Sequence, residues 1–130
     1  MENNQQLKLL IVDDESAIVH FTKKIFDKKG FISFGATDGA SAVEVFKKER
    51  PHICLIDIHM PFSPFDGVET LKQIKKIDQN AVCLMVSRIT EKDRVTDCRN
   101  FGALAYLLKP LDFDDLDRAV EKARAYVKTS

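Results

Sequence analysis

The 130-residue sequence is poor in the features that mark specialised classes of protein. Twenty Lys and Arg balance twenty Asp and Glu, so the formal net charge is zero. The basic excess that serves phosphate backbones or anionic lipid is missing, and nucleic acid is not the expected partner. Only five glycines and four prolines occur against 45% hydrophobic residues, which excludes a disordered, collagenous or low-complexity chain. Apolar runs such as Leu9-Leu10-Ile11-Val12 fall far short of the ~20 residues that cross a bilayer, so no membrane partner is expected. The start, Met1-Glu2-Asn3-Asn4-Gln5-Gln6, lacks the basic and apolar segments of a signal peptide, and the expected location is the cytoplasm. Cys54, Cys83 and Cys98 are odd in number, form no CxxC pair and have no histidine at ligand spacing. Buried, reduced thiols are expected rather than a metal or redox centre.

One domain fits this length, and such a chain buries roughly 65–70% of its unfolded surface. Five short apolar runs alternate with amphipathic stretches: Lys8–Val12, Phe31–Ala36, His52–Ile56, Ala81–Val86 and Leu104–Leu108. Four of them are apolar continuously rather than at every second residue, which predicts parallel strands covered on both faces. The second, Phe31-Ile32-Ser33-Phe34-Gly35, reads as an edge. Helical spacing falls between them. Ile18, Phe21 and Ile25 mark a first face ended near Gly30, and Ala42, Val43 and Phe46 a second after a cap at Asp38. Val68, Leu71, Ile74 and Ile77 follow Asp66-Gly67, while Val95, Cys98 and Phe101 precede Gly102. Leu116, Ala119, Val120, Ala123 and Val127 form the last face, and Asp112, Asp114, Asp115 and Asp117 at its start suit the positive end of a helix. The expectation is an α/β fold, a single doubly wound (βα)5 sheet without linker or repeat.

In open parallel sheets ligands gather beyond the carboxyl ends of the strands, where strand order reverses. Those positions carry Asp13-Asp14-Glu15, Asp57, Ser87 and Lys109-Pro110. An Asp pair alone is most often a turn with a helix cap, and Lys-Pro alone merely ends a strand. Four such features at four strand ends, each of a different chemical type, favour function. If the first and third strands are neighbours, three carboxylates converge and repel, and a cation must compensate them. Oxygen ligands at a partly open site suit Mg²⁺. Lys109 adds a point positive charge and Ser87 a hydroxyl, a set able to hold a dianionic phosphoryl group.

The pieces Leu10-Ile11-Val12-Asp13-Asp14-Glu15, Leu55-Ile56-Asp57-Ile58-His59-Met60-Pro61 with Asp66-Gly67, Ser87, and Gly102-Ala103 through Tyr106 to Lys109-Pro110 resemble the receiver domain of bacterial two-component response regulators, chemotaxis-regulator-like. The resemblance spans 8–124, leaving 1–7 and 125–130 as terminal extensions. It implies a flavodoxin-like three-layer sandwich with a five-stranded parallel sheet in the order 2-1-3-4-5. It further implies that Asp57 accepts a phosphoryl group from the phosphohistidine of a sensor histidine kinase or phosphotransfer protein. Asp14, Asp57 and the backbone carbonyl of His59 would bind Mg²⁺, with Asp13 acting through water. Lys109 and Ser87 would contact phosphoryl oxygens, and the Lys109-Pro110 bond would be cis. Ser87 and Tyr106 would form the switch, with Tyr106 turning inward as Ser87 moves toward the phosphoryl group. The chain would not be a conventional enzyme but would catalyse its own phosphorylation and dephosphorylation. A downstream effector or output domain would bind the face of the fourth helix, fifth strand and fifth helix, and phosphorylation-dependent homodimerisation belongs to the same expectations. No DNA-binding unit is expected in the chain, which reads as a stand-alone receiver or an excised N-terminal piece.

Two departures from the pattern stand beside the site. Phe62, Ser63, Pro64 and Phe65 lengthen the stretch between Met-Pro and Asp-Gly from the usual two residues to four, and Arg88 follows Ser87 where a small residue is usual. Arg88, Phe62 and the His59 side chain are therefore expected to modulate access to the phosphoryl group, Arg88 and the loop by hindering water. His20 and His52 read as structural. A phosphorylation-independent interaction module on the same fold remains the alternative. A flavin site lacks a glycine-rich turn after the first strand, and an aspartyl phosphatase wants a second Asp where His59 stands.

Overall fold

The computed structural model describes residues 6–61, 63, 65–88 and 92–128, the side chains of 92–95 excepted. Strands and helices alternate: β1 (Lys8–Val12), α1 (Ser16–Lys28), β2 (Ile32–Ala36), α2 (Gly39–Glu49), β3 (Ile53–Asp57), α3 (Gly67–Ile77), β4 (Val82–Ser87), α4 (Lys92–Asn100), β5 (Ala105–Leu108) and α5 (Phe113–Arg124). All strand pairs are parallel and the order is β2-β1-β3-β4-β5, so the chain reverses its direction of winding between β1 and β3. This is the expected three-layer α/β architecture, with β2 at an edge.

Alternating strand residues serve two cores. Leu9, Ile11, Ile53, Leu55, Val82 and Leu84 pack with Val19 and Phe26 of α1 and with Leu116, Val120 and Ala123 of α5. Leu10, Val12, Cys54, Ile56, Cys83 and Met85 pack with Ala42 and Phe46 of α2, Leu71 and Ile74 of α3 and Cys98 of α4. Because both faces of the sheet are covered, the strands have no polar side, which is why their sequences read as continuous apolar runs. Three helix starts, those of α2, α3 and α5, are capped as their chemistry predicts: Asp38 accepts from the Ser41 N–H, Asp66 from Glu69 and Asp112 from Asp114.

Two helical faces differ from the expectation. In α1 the buried residues are Val19, Thr22 and Phe26, whereas Ile18 lies at the surface and Phe21 is 54% exposed. The helix is turned by about one residue because Val19 rests on Gly35 of β2, where a β-carbon would fall 2.3 Å from its methyl, and Phe26 meets Phe31 edge to face. Phe101, expected in the fourth helical face, is 43% exposed beyond the end of α4, with the Lys72 ammonium 4.4 Å from its ring centre. Cys98 is buried as expected, and the Val95 side chain lies outside the described residues.

The three cysteines form no disulfide and are buried. A hydrogen bond to Cys83, together with burial, pushes the Cys54 thiol well above its ordinary value, which disfavours its thiolate. His52 is structural: its Nδ1 accepts from the Lys8 N–H at 3.0 Å, and burial lowers its pKa so that the lone pair stays free for that bond. His20 is exposed on α1 and packs into neither core.

Candidate functional site

The carboxyl ends of β1, β3, β4 and β5 meet in one place. At the end of β1 the ladder runs one residue further, Asp13 N–H donating to Ala36 O at 3.2 Å. Asp13 Oδ1 then accepts from the Glu15 N–H at 2.9 Å, which turns the chain into α1 and leaves Asp14 on the solvent side. The Asp pair thus forms the expected turn into the first helix. Asp57 is the last residue of β3 and only 2% exposed. Beyond it, Ile58 N–H bonds Val86 O at 2.9 Å, and Lys109 N–H bonds Ser87 O at 2.9 Å, aligning three strand ends.

Long-range packing thus delivers side chains that the sequence separates by dozens of residues. Lys109 Nζ donates to Asp57 Oδ2 at 3.0 Å and stands 3.6 Å from Asp13 Oδ2. Oxygen atoms of Asp13, Asp14 and Asp57 lie within 4.8 Å of one another. The His59 N–H donates to Asp57 Oδ1 at 3.2 Å. Gly67 closes the site from behind: a β-carbon there would stand 2.2 Å from the Asp57 carbonyl oxygen, so α3 begins against the backbone at the end of β3.

Burial pushes the Asp57 carboxyl up to about 6; the Asp13 charge adds to the shift, while the Lys109 hydrogen bond and charge and the His59 N–H oppose it. Burial also raises Asp13, despite the Glu15 N–H and Lys109. For Lys109 burial alone would favour the neutral amine. The Asp57 hydrogen bond and the charges of Asp57, Asp13 and Glu15 outweigh it and hold the ammonium above its ordinary pKa. Among the described residues three carboxylates face one ammonium, an excess of negative charge, and the all-oxygen donors suit a hard divalent cation such as Mg²⁺.

Ser87 is fully buried, and its Oγ has no hydrogen-bond partner among the described residues. A hydroxyl in that state costs stability, and an incoming anionic oxygen would satisfy it. Tyr106 is half-buried on β5 opposite Met85, packed on the α3–α4 side with the Arg99 guanidinium 5.5 Å from its ring centre. Strand alternation puts Ser87 on the same face as Met85 and hence as Tyr106. The Lys109-Pro110 peptide is cis. His59 is half-buried at the site rim and Arg88 is exposed at the end of β4, while Phe62 lies outside the described residues.

The structure brings together the strand-end residues Asp13, Asp14, Asp57 and Lys109, and it adds two features that the sequence does not announce. Gly67 registers in the sequence only as a helix start, and its close approach to Asp57 has no local signal. The exposed trio Ile18, Phe21 and Phe113, with the two rings edge to face at 5.2 Å, was hidden by assigning the first two to the core.

The model of the response regulator receiver domain family matches residues 9–121. Sporulation initiation phosphotransferase F of Bacillus subtilis is 36% identical over 115 residues, covering 88% of this chain and 91% of that protein. Chemotaxis protein CheY of Bacillus subtilis is 36% identical over 116 residues, covering 88% and 95%. Among solved structures, a CheY-like response regulator receiver domain protein from Methanospirillum hungatei superposes with a TM-score of 0.84 at 28% identity, covering 94% and 97%. The receiver domain of NtrX from Brucella abortus gives 0.82 at 28% identity, covering 88% and 96%.

Proposed function

Because the chain belongs to the response regulator receiver domain family, in which phosphorylation drives a conformational switch, we propose that Asp57 is the residue that receives the phosphoryl group. The observation that carries this reading is the Lys109 ammonium held 3.0 Å from a buried carboxylate inside a cluster of three. The functional unit proposed is 8–124, with 1–7 and 125–130 as extensions.

A carboxylate is a weak nucleophile, so the protein must act by positioning and by offsetting charge. With a pKa of about 6, Asp57 is mainly ionised at neutral pH. Its oxygen forms a bond to phosphorus as the phosphorus–nitrogen bond of a phosphohistidine breaks, and the departing imidazole nitrogen takes a proton from solvent. The Lys109 ammonium is already placed to follow charge from the carboxylate onto the phosphoryl oxygens, and the buried Ser87 hydroxyl gains its missing acceptor in the same event. Asp14, Asp57 and the His59 carbonyl would hold Mg²⁺ directly and Asp13 through a water; when bound, the ion supplies charge neutralisation between the carboxylates and the phosphoryl group. Hydrolysis of the acyl phosphate by water returns Asp57, so the chain serves as catalyst of its own modification and is no conventional enzyme.

As Ser87 turns toward the new oxygens, Tyr106 on the same face moves into the space, and α4, β5 and α5 present the changed surface to an effector, an output domain or a second copy of the chain. The phosphodonor is a histidine kinase or phosphotransfer protein. Ile18 and Phe21 of α1 and Phe113 at the start of α5 offer it an exposed apolar footing. No helix among the described residues is long and apolar enough to cross a membrane, and the cytoplasm is the compartment this reading assigns.

Incubation with Mg²⁺ and a small phosphodonor, followed by intact mass measurement, tests the reading. Wild type gains one phosphoryl group, and Asp57→Asn or excess EDTA abolishes the gain. A gain that survives either change sinks the assignment, and a wild type that gains nothing favours the alternative, a phosphorylation-independent interaction module.

A further inference from the structure

The lengthened loop between β3 and α3 makes one contact that the phosphoryl chemistry does not require. Ser63 Oγ accepts the Gly39 N–H at 2.8 Å, across 24 residues of sequence, and also lies 3.3 Å from the Phe65 N–H as its acceptor. The Ser63 N–H in turn donates to Met60 O at 3.1 Å. Gly39 opens α2, so its amide is one of the donors that a helix start leaves without an internal partner. Asp38 already serves another such donor, that of Ser41 two residues on, and Ser63 supplies to Gly39 from a distance what the local sequence does not. The seat is tight: a β-carbon on Gly39 would stand 2.6 Å from Phe65 Cβ and 2.4 Å from Thr70 Oγ1.

The loop tied down in this way carries the His59 carbonyl. Ile58 and Met60 on either side of His59 are buried, Ile58 O accepts the Gly67 N–H at 3.0 Å, and Met60 O accepts from Ser63. The peptide that presents the His59 carbonyl is therefore held by α3 on one side and, through Ser63, by α2 on the other. We propose that Ser63 is a positioning residue for the metal site: its hydroxyl clamps the β3–α3 loop to the start of α2 and so fixes the direction of the His59 carbonyl toward the Asp14–Asp57 oxygens. The inference rests on the reading of that carbonyl as a Mg²⁺ ligand. Groups that orient a ligand typically alter metal affinity 10–100-fold when removed. Ser63 acts one step further out, so the low end applies.

Mg²⁺ itself is the probe, titrated into the full chain and followed by the backbone amide shifts of Asp57 to His59, with hydrogen exchange of the Gly39 amide read on the metal-free protein. Ser63→Ala is expected to weaken Mg²⁺ binding about tenfold and to speed Gly39 exchange, and Ser63→Thr, which keeps the hydroxyl, to restore both. Gly39→Ala, which wedges the loop away from α2, should reproduce the weaker binding and covers the case in which Ser63→Ala fails to fold. Unchanged Mg²⁺ affinity in Ser63→Ala with faster Gly39 exchange overturns the inference and reduces Ser63 to a remote helix cap. Wild type that shows no Mg²⁺ response overturns the metal reading on which the inference stands, and with it the inference.

Discussion

Replacing Asp57 by Asn should stabilise the metal-free protein at neutral pH, because the structure holds this carboxylate under strain. Its pKa is about 6 in the folded chain against an ordinary 3.8. Below about pH 4 both folded and unfolded chains carry the proton. Between about 4 and 6 the folded state keeps a proton that the unfolded state has released, so stability falls as pH rises. Above about 6 the cost is complete. Two pKa units correspond to about 3 kcal/mol. That figure is a ceiling, because Lys109 beside the carboxylate is 22% exposed and solvent screens the site, and a net gain of about 1–2 kcal/mol is the reasonable expectation for the variant. For a chain of this size that is roughly 5 °C in Tm. The Asn side chain keeps the shape and still offers Lys109 an acceptor, so no cavity or unpaired ammonium offsets the gain. Thermal or urea unfolding in EDTA at pH 7.5 and pH 5.0 measures it: the variant should exceed wild type at pH 7.5, and the gap should shrink at pH 5.0. Millimolar Mg²⁺ should narrow the gap at pH 7.5, because an ion that binds only the folded wild type stabilises it by mass action. A variant less stable than wild type at pH 7.5, or a gap independent of pH, would refute the reasoning.

Gly67→Ala should destabilise by about 1–3 kcal/mol, since its methyl is driven into the Asp57 and Ile58 backbone; urea unfolding reads the loss, and the variant should also phosphorylate more slowly. Asp14→Ala should weaken Mg²⁺ binding more than Asp13→Ala, because the Asp13 carboxylate is already engaged by the Glu15 N–H and Lys109; calorimetric titration giving equal losses would contradict a direct and a water-mediated ligand. Arg88→Ala should lose its phosphoryl group faster, as expected of a bulky side chain that hinders in-line water, and even a small misplacement of that water costs about 100-fold in rate; slower decay would instead mean that the cation assists hydrolysis. On phosphorylation, amide shifts should change around Val95–Tyr106, and changes confined to Leu9–Lys29 would place the output face elsewhere.

The one-dimensional signals were sufficient wherever the physics is local or repetitive. Continuous apolar runs of four to six residues alternating with amphipathic stretches fit strands covered on both faces, Asp38, Asp66 and Asp112 satisfy amides within three residues of themselves, and a polar residue after an apolar strand emerges at the sheet's carboxyl edge. The acidic set Asp13, Asp14 and Asp57 and its cation Lys109 were legible for that reason, since strand ends in a parallel sheet all point the same way. Tertiary structure decided what depends on contacts between distant segments. The rotation of α1 that buries Phe26 and exposes Phe21 follows from the fit of Val19 on Gly35, and periodicity is blind to a shift of one residue when Ile18, Val19, Phe21 and Phe26 are all apolar. The hold of Ser63 on Gly39 has no sequence signature at all, because a serine hydroxyl finds its donor only after α2 and the β3–α3 loop have packed. The raised pKa of Asp57 is likewise a property of the assembled site: an isolated carboxyl is fully hydrated, and only the packed strand ends remove that water and bring Asp13 and Lys109 to bear on it.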